Sequence, residues 1–259
     1  MPPPKRRPRT YDPARTWAAL TAQLTRVREA AARLTPGELA APSVRGPLAR
    51  IAAHAGALAD ALDAPPPRAV RPALDPARWA LEAPDAPEPP AGDPLAALDA
   101  VAGRLAAHGV PAAGRLVPHA LGAMSAGDRA AAGLVAVVVH ADDLARATGA
   151  GVSLERQALA AAVRVLADAL AVKAPGGAVE VRVPPYAVVQ CVEGPRHTRG
   201  TPPNVVETDP LTWLRLAAGR TAWADAREAA AVRASGERAD IGGLLPVLRT
   251  GSEEAVKPA

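Results

Sequence analysis

The chain has 259 residues, 49% apolar but only 2% aromatic and without phenylalanine, so a sizeable core has to be built from Leu, Val, Ile and Ala. The formal charge of +4 is carried by Lys5, Arg6, Arg7 and Arg9 in the leader MPPPKRRPRT, and the rest of the chain is neutral. A neutral body without interleaved aromatic and basic residues argues against nucleic-acid binding, and the single cysteine, Cys191, excludes an intrachain disulfide and a cysteine-based zinc cluster.

The start of the chain lacks the apolar stretch of a signal peptide, and no apolar run approaches a membrane span, so a cytoplasmic protein is expected. The 29 prolines are about twice the usual share. Ala, Pro, Arg and Gly are over-used together, as in GC-rich genomes, so single Ala or Pro positions carry little weight. Residues 1–11 and 250–259 read as disordered tails.

Asp12-Pro13 starts a first helix, because Asp caps free amides and Pro suits the first helical position. Leu20, Leu24, Val27 and Leu34 extend it at helical spacing over 13–34. Pro47 opens a second helix with Leu48, Ile51, Leu58 and Leu62 on one face, and His54 shares that face. Residues 64–92 are dominated by Pro and Ala and read as an extended connection pinned by Trp79. Asp93-Pro94 begins a third helix to His108. A fourth covers 127–148 and is closed by Gly149. A fifth runs from Ser153 to Val172. After Pro175-Gly176-Gly177 the pattern alternates with period two, giving strands over 178–183 and 187–192 and a short third strand in NVVET. Asp209-Pro210 caps a helix carrying Trp213, Leu214 and Leu216. AAVRASG reads as a last strand, followed by a short helix through Leu244, Leu245 and Leu248. The fold class is α+β: a helical half over 12–172, then a small mixed half over 174–249.

His54 and His140 lie on apolar helix faces, and bundles build metal sites from inward side chains on facing helices. A catalytic divalent metal usually takes three protein ligands. The natural third would be a carboxylate four residues before His140, on the same face, but that position is Ala136. Asp143, Asp142, His119 and His108 are the residues that could replace it. The alternative is a pair of core histidines, with His140 and Asp143 at i,i+3 spacing bonded to each other. The ligand set named for a metal is therefore His54, His140 and Asp143, with a degenerate centre expected and zinc at well under one equivalent.

In the stretches ARIAAHAGALADAL and AVVVHADDLARA, the first half resembles the mycothiol-dependent maleylpyruvate isomerase metal-binding domain, a relative of the DinB-like four-helix bundles. In that pattern a histidine on the second helix is joined by Glu-x-x-x-His on a later one. His54 and His140 match the histidines, Ala136 stands at the glutamate, and RGPLARIAAH replaces the usual Trp-Thr lead. The resemblance implies zinc and mycothiol as candidate cofactors. From VEVRV through DPLTWLRLAAGR to VRASGERAD and the terminal apolar helix, the second half resembles the sterol-carrier-like domain of actinobacterial sterol carrier family proteins. Such a domain can cover an apolar cavity, here with Val188, Val205, Trp213, Leu214, Leu216, Leu244 and Leu248 as candidate lining, or these residues are simply its core.

In GPRHTRGTPPN, Arg196, His197 and Arg199 form either an anion-holding loop or a solvated connection. Together with Trp213 they are the candidate ligand-binding residues. Cys191, inside an apolar strand, reads as an inert thiol. Two functions follow. One is a sterol-carrier-like binding protein for a small apolar or acyl-type ligand, with no cofactor; the other is a mycothiol-dependent, metal-assisted isomerase or transferase. The expected partners are a small-molecule ligand and a second copy of the chain.

Overall fold

Apolar residues at helical spacing, most runs opened by a capping side chain, set the bundle. The computed structural model describes residues 9–82, 87–112, 114–149, 151–194 and 202–248. Helix α1 (Pro13–Ala31) starts where the Asp12 carboxylate accepts the Arg15 amide, and it turns Leu20, Leu24 and Val27 inward. A five-residue α2 (Pro36–Ala40) is opened by a reciprocal capping box between Thr35 and Glu38. Helix α3 (Pro42–Asp63) follows, then α4 (Pro76–Glu82) and α5 (Pro94–His108). Two-residue strands β1 (Leu116–Val117) and β2 (Met124–Ser125) pair antiparallel and lead into α6 (Ala126–Thr148). Ser125 caps α6, and Gly149 ends it in the left-handed conformation, φ 59°, that a Cβ would disfavour.

Helix α6 is the centre of the bundle. Nearly every residue from Arg129 to Leu144 is buried, as expected of a helix apolar all round. It packs against α3, α1 and α7 (Arg156–Lys173), while α5 lies along α3 and α1. The far side of α7 packs on the second half. There β3 (Val179–Val183), β4 (Ala187–Cys191), β5 (Val205–Thr208) and β6 (Val232–Ser235) form one sheet in the order β4-β3-β5-β6. Strand β3 runs antiparallel to β4 and parallel to β5, and β5 runs antiparallel to β6. Helix α8 (Pro210–Ala217), capped by Asp209, packs on α7. The alternation that marks β3 becomes the burial of Val179, Val181 and Val183. Among the described residues no helix is long and apolar enough to cross a membrane.

Several elements differ from expectation for local reasons. The second long helix begins at Pro42 rather than Pro47. The stripe Val44, Leu48, Ile51 continues through Pro47, which loses a single hydrogen bond close to the helix start. The 64–92 connection contains α4, where the Asp75 carboxylate accepts the Arg78 amide and Trp79 and Ala80 are buried against α6 and α7. Helix α1 stops at Ala31, three residues short of Leu34. Helix α9 (Trp223–Glu228) escaped the reading, and the terminal helix is a single 3-10 turn at Gly242–Leu244. The end of the leader is docked: Arg9 bonds Asp168 at 2.8 Å and Tyr11 packs on the core.

Candidate functional site

The stripe Arg129, Gly133, Ala136 and His140 recurs at four-, three- and four-residue steps along α6, so all four share one face. That face meets α3 at His54 and Leu58. The two imidazoles lie nearly parallel, centroids 5.6 Å apart and planes 24° apart, and both are buried. Each Nε2 is buried without a hydrogen-bond partner. His140 Nδ1 lies 3.1 Å from Asp143 Oδ2. Because the Asp143 carboxylate can only accept, Nδ1 carries the proton and Nε2 keeps a bare lone pair.

The second half reaches this face through two arginines. Arg220, just after α8, donates from Nε and Nη2 to Asp143 at 3.0–3.1 Å. Arg215, on α8, grips the adjacent Asp142 through two bonds of 2.8 and 2.7 Å. Burial alone would raise the Asp143 carboxyl, but the bonds from His140 and Arg220 outweigh it and hold it below the usual range.

Burial, then the charges of His140, Arg129 and Arg50, push His54 down to about 3. His140 is also lowered, mainly by burial, against the opposing pull of Asp143. Both rings are therefore neutral at pH 7. As pH falls, the unfolded chain, with a histidine near its ordinary value, takes its proton first. Stability is thus unaffected above about pH 6.5 and is lost as pH falls from there toward about 3, by up to ~1.4 kcal/mol per pH unit for His54. Urea unfolding of wild type and His54→Gln between pH 6 and 5 should show the steeper loss in wild type. Equal slopes would contradict a neutral buried His54.

The candidate third ligands are all committed elsewhere. Asp143 is engaged by His140 and Arg220, and Asp142 by Arg215. His108 on α5 pairs with Asp63 at 2.7 Å, and His119 Nδ1 accepts the Leu121 amide. Among the described residues no group of three His, Cys, Asp or Glu is arranged to hold a metal ion. Two orphaned Nε2 atoms would suit a metal, but Ala136 offers no donor and the Arg129 cation bears on His54. The residues present do not fit a three-ligand catalytic centre, and Asp143 stands behind His140 rather than beside it as a ligand.

Of the ligand-binding candidates, Arg196, His197 and Arg199 lie outside the described residues. Trp213 is fully buried in α8, and its Nε1 has no acceptor. Leu214, Leu216 and Leu248 are core residues, whereas Val188 points to solvent at 57% exposure because its register on β4 faces away from α7. Cys191 is buried, and burial pushes its thiol up to about 11, so it stays protonated. A separate cleft of about 370 Å³ lies between α2, α3 and the start of α5. Its charged residues are occupied: Arg45 bonds the Gly92 carbonyl and Asp93 caps α5.

Sequence reasoning missed Arg129, Arg215 and Arg220. Arg129 was legible as a cation seven residues before Ala136 on an otherwise apolar face. Arg220 is the arginine of the AGR motif, and only the fold shows which carboxylate it meets.

The molecule is thus a helical bundle with a buried histidine pair, tied by arginine–aspartate bridges to a small α+β unit. Residues 155–247, from the start of α7 to the end of the sheet-containing half, are similar to the family model described as bacterial SCP ortholog. The match begins at Glu155, the residue that caps α7. The chain is similar in fold to a crystal structure of the mycothiol-dependent maleylpyruvate isomerase, at 16% identity and TM-score 0.56, over 87% of this chain and 93% of that one. A mutant of the same enzyme is similar at 15% identity with the same coverage and TM-score. No curated protein matches the sequence significantly.

Proposed function

We propose that the chain is a sterol-carrier-like binding protein for a small apolar or acyl-type ligand, with a degenerate metal centre in the bundle. The observation that carries this reading is the α3–α6 face itself: two neutral imidazole edges without partners beside a buried alanine where a third ligand would stand. The match of 155–247 to a bacterial SCP ortholog supports it. Trp213 Nε1, an unpaired donor in the apolar interior, is a candidate to meet a ligand carbonyl, alongside Arg196, His197 and Arg199. A second copy of the chain remains the proposed protein partner.

A second reading is favoured by the fold likeness to a mycothiol-dependent isomerase and by the retained histidine pair. In that reading the protein is a thiol-dependent isomerase or transferase with mycothiol as coenzyme. Thermal denaturation separates the two, since a ligand that binds only the native state raises Tm. For the binding protein, fatty acids of eight to sixteen carbons raise Tm and zinc with a low-molecular-weight thiol does not. For the enzyme, zinc and thiol stabilise together, and His54→Ala abolishes the effect. No shift from any fatty acid up to its solubility limit would remove the binding reading.

A further inference from the structure

Arg129 sits one turn into the central helix, and only 5% of its surface is exposed. Among the described residues it makes no hydrogen bond and no ion pair. Its one favourable electrostatic partner is Asp60, whose carboxylate is bonded by Arg104 at 2.8 Å. Burial brings the guanidinium down to about 10, which leaves it charged at pH 7. Buried charges are otherwise paired or hydrogen-bonded, because removing an ion from water without a partner is costly.

The direction of the side chain is informative. Arg129 Nη1 lies 3.8 Å from the point where a Cβ on Gly133 would be, with Leu58 Cδ2 3.9 Å from the same point. The guanidinium therefore lies against Gly133, one turn further along α6 and next to Leu58 of α3. Its charge bears on both His54 and His119. Neighbouring Asp142 and Asp143 cannot serve it, since Arg215 and Arg220 hold them. The face that would need a negative ligand to hold a metal carries instead a positive charge that has no hydrogen-bonded counter-ion among the described residues.

We propose that Arg129 is the receptor for the carboxylate of a small organic acid, bound on the α3–α6 face beside Leu58 and the His54–His140 pair. The guanidinium presents its donors in a planar fork that matches a carboxylate, and in a water-poor setting each bond is charge-assisted. Leu58, Gly133 and Ala136 are buried on the same face and give it an apolar character that suits the remainder of the acid. The proposal rests on the ligand-binding reading above and gives that ligand an anionic head.

Calorimetric titration of the full chain with octanoate, octanol and acetate tests it. Octanoate should bind at least about tenfold more tightly than octanol, and Arg129→Gln should bring octanoate to the level of octanol. Arg129→Lys, which keeps the charge, should recover part of the affinity, which a merely structural role would not. Equal binding of octanoate and octanol by wild type overturns the proposal without needing any variant. Octanoate binding that Arg129→Gln leaves unchanged also overturns it, while the acyl reading survives. Acetate binding that depends on Arg129, with octanoate no better, supports the anion site and sinks the acyl reading. If none of the three binds, both fall.

Discussion

Arg215→Ala should be among the most damaging substitutions outside the hydrophobic core, lowering stability by about 3–5 kcal/mol. Asp142 lies on the buried central helix with a side chain only 5% exposed, and Arg215 supplies both of its ion-pair bonds. Removing the arginine leaves a carboxylate in the interior without a counter-charge. Removing the carboxylate is a different event. Arg215 is 30% exposed and can turn to water, so Asp142→Ala should cost about half as much or less. At this chain length the larger loss corresponds to roughly 6–20 °C in Tm. The bridge ties α8 to α6, so the loss should loosen the contact between the two halves first. Hydrogen exchange in α8 should then rise before exchange in α3. Equal costs for the two variants, or a cost below about 1 kcal/mol for Arg215→Ala, would mean that Asp142 is solvated in solution.

The bundle was readable because its helices are amphipathic or wholly apolar and several open on an Asp-Pro pair. Asp12-Pro13, Asp93-Pro94 and Asp209-Pro210 each became a helix start with the carboxylate accepting free amides. The strands were readable because Val179, Val181 and Val183 alternate with polar residues. What failed had no period to read. Helix α4 rests on seven residues inside a proline-rich stretch, and its stability comes from burying Trp79 against helices far away in sequence. The histidine pair could be placed on two facing helices from spacing alone, and the missing carboxylate at Ala136 was visible in the same way. The arginines were not, since an arginine's partner depends on tertiary contact. Arg215 and Arg220 meet Asp142 and Asp143 across more than seventy residues of chain. Arg129 is identified only by the absence of any such partner among the described residues.

Ala136→Glu should convert weak zinc binding into tight binding, provided the neighbouring cation is dealt with. The variant carboxylate would lie on the face of His140, one turn before it, and complete a His-His-Glu set of the kind that holds catalytic zinc. The supporting partner is already present: Asp143 fixes the ring of His140 through Nδ1 and leaves Nε2 free, the arrangement that orients a metal-binding imidazole. Two forces oppose the change. A glutamate in place of a fully buried alanine overpacks the core, at about 1–3 kcal/mol in the metal-free protein. Arg129, whose guanidinium lies against Gly133 on the same face of α6, would also compete for the carboxylate and repel the cation. The double variant Ala136→Glu with Arg129→Met should therefore gain about 100-fold or more in zinc affinity over wild type, and Ala136→Glu alone should gain less. Competition against a chelator of known zinc affinity measures both, and the difference between them gives the opposition of Arg129. If the single variant matches the double, the guanidinium does not share this face, and the case for an anion held there fails with it. Should neither variant bind zinc better than wild type, the histidine pair is a packing contact with no residual geometry of a metal centre.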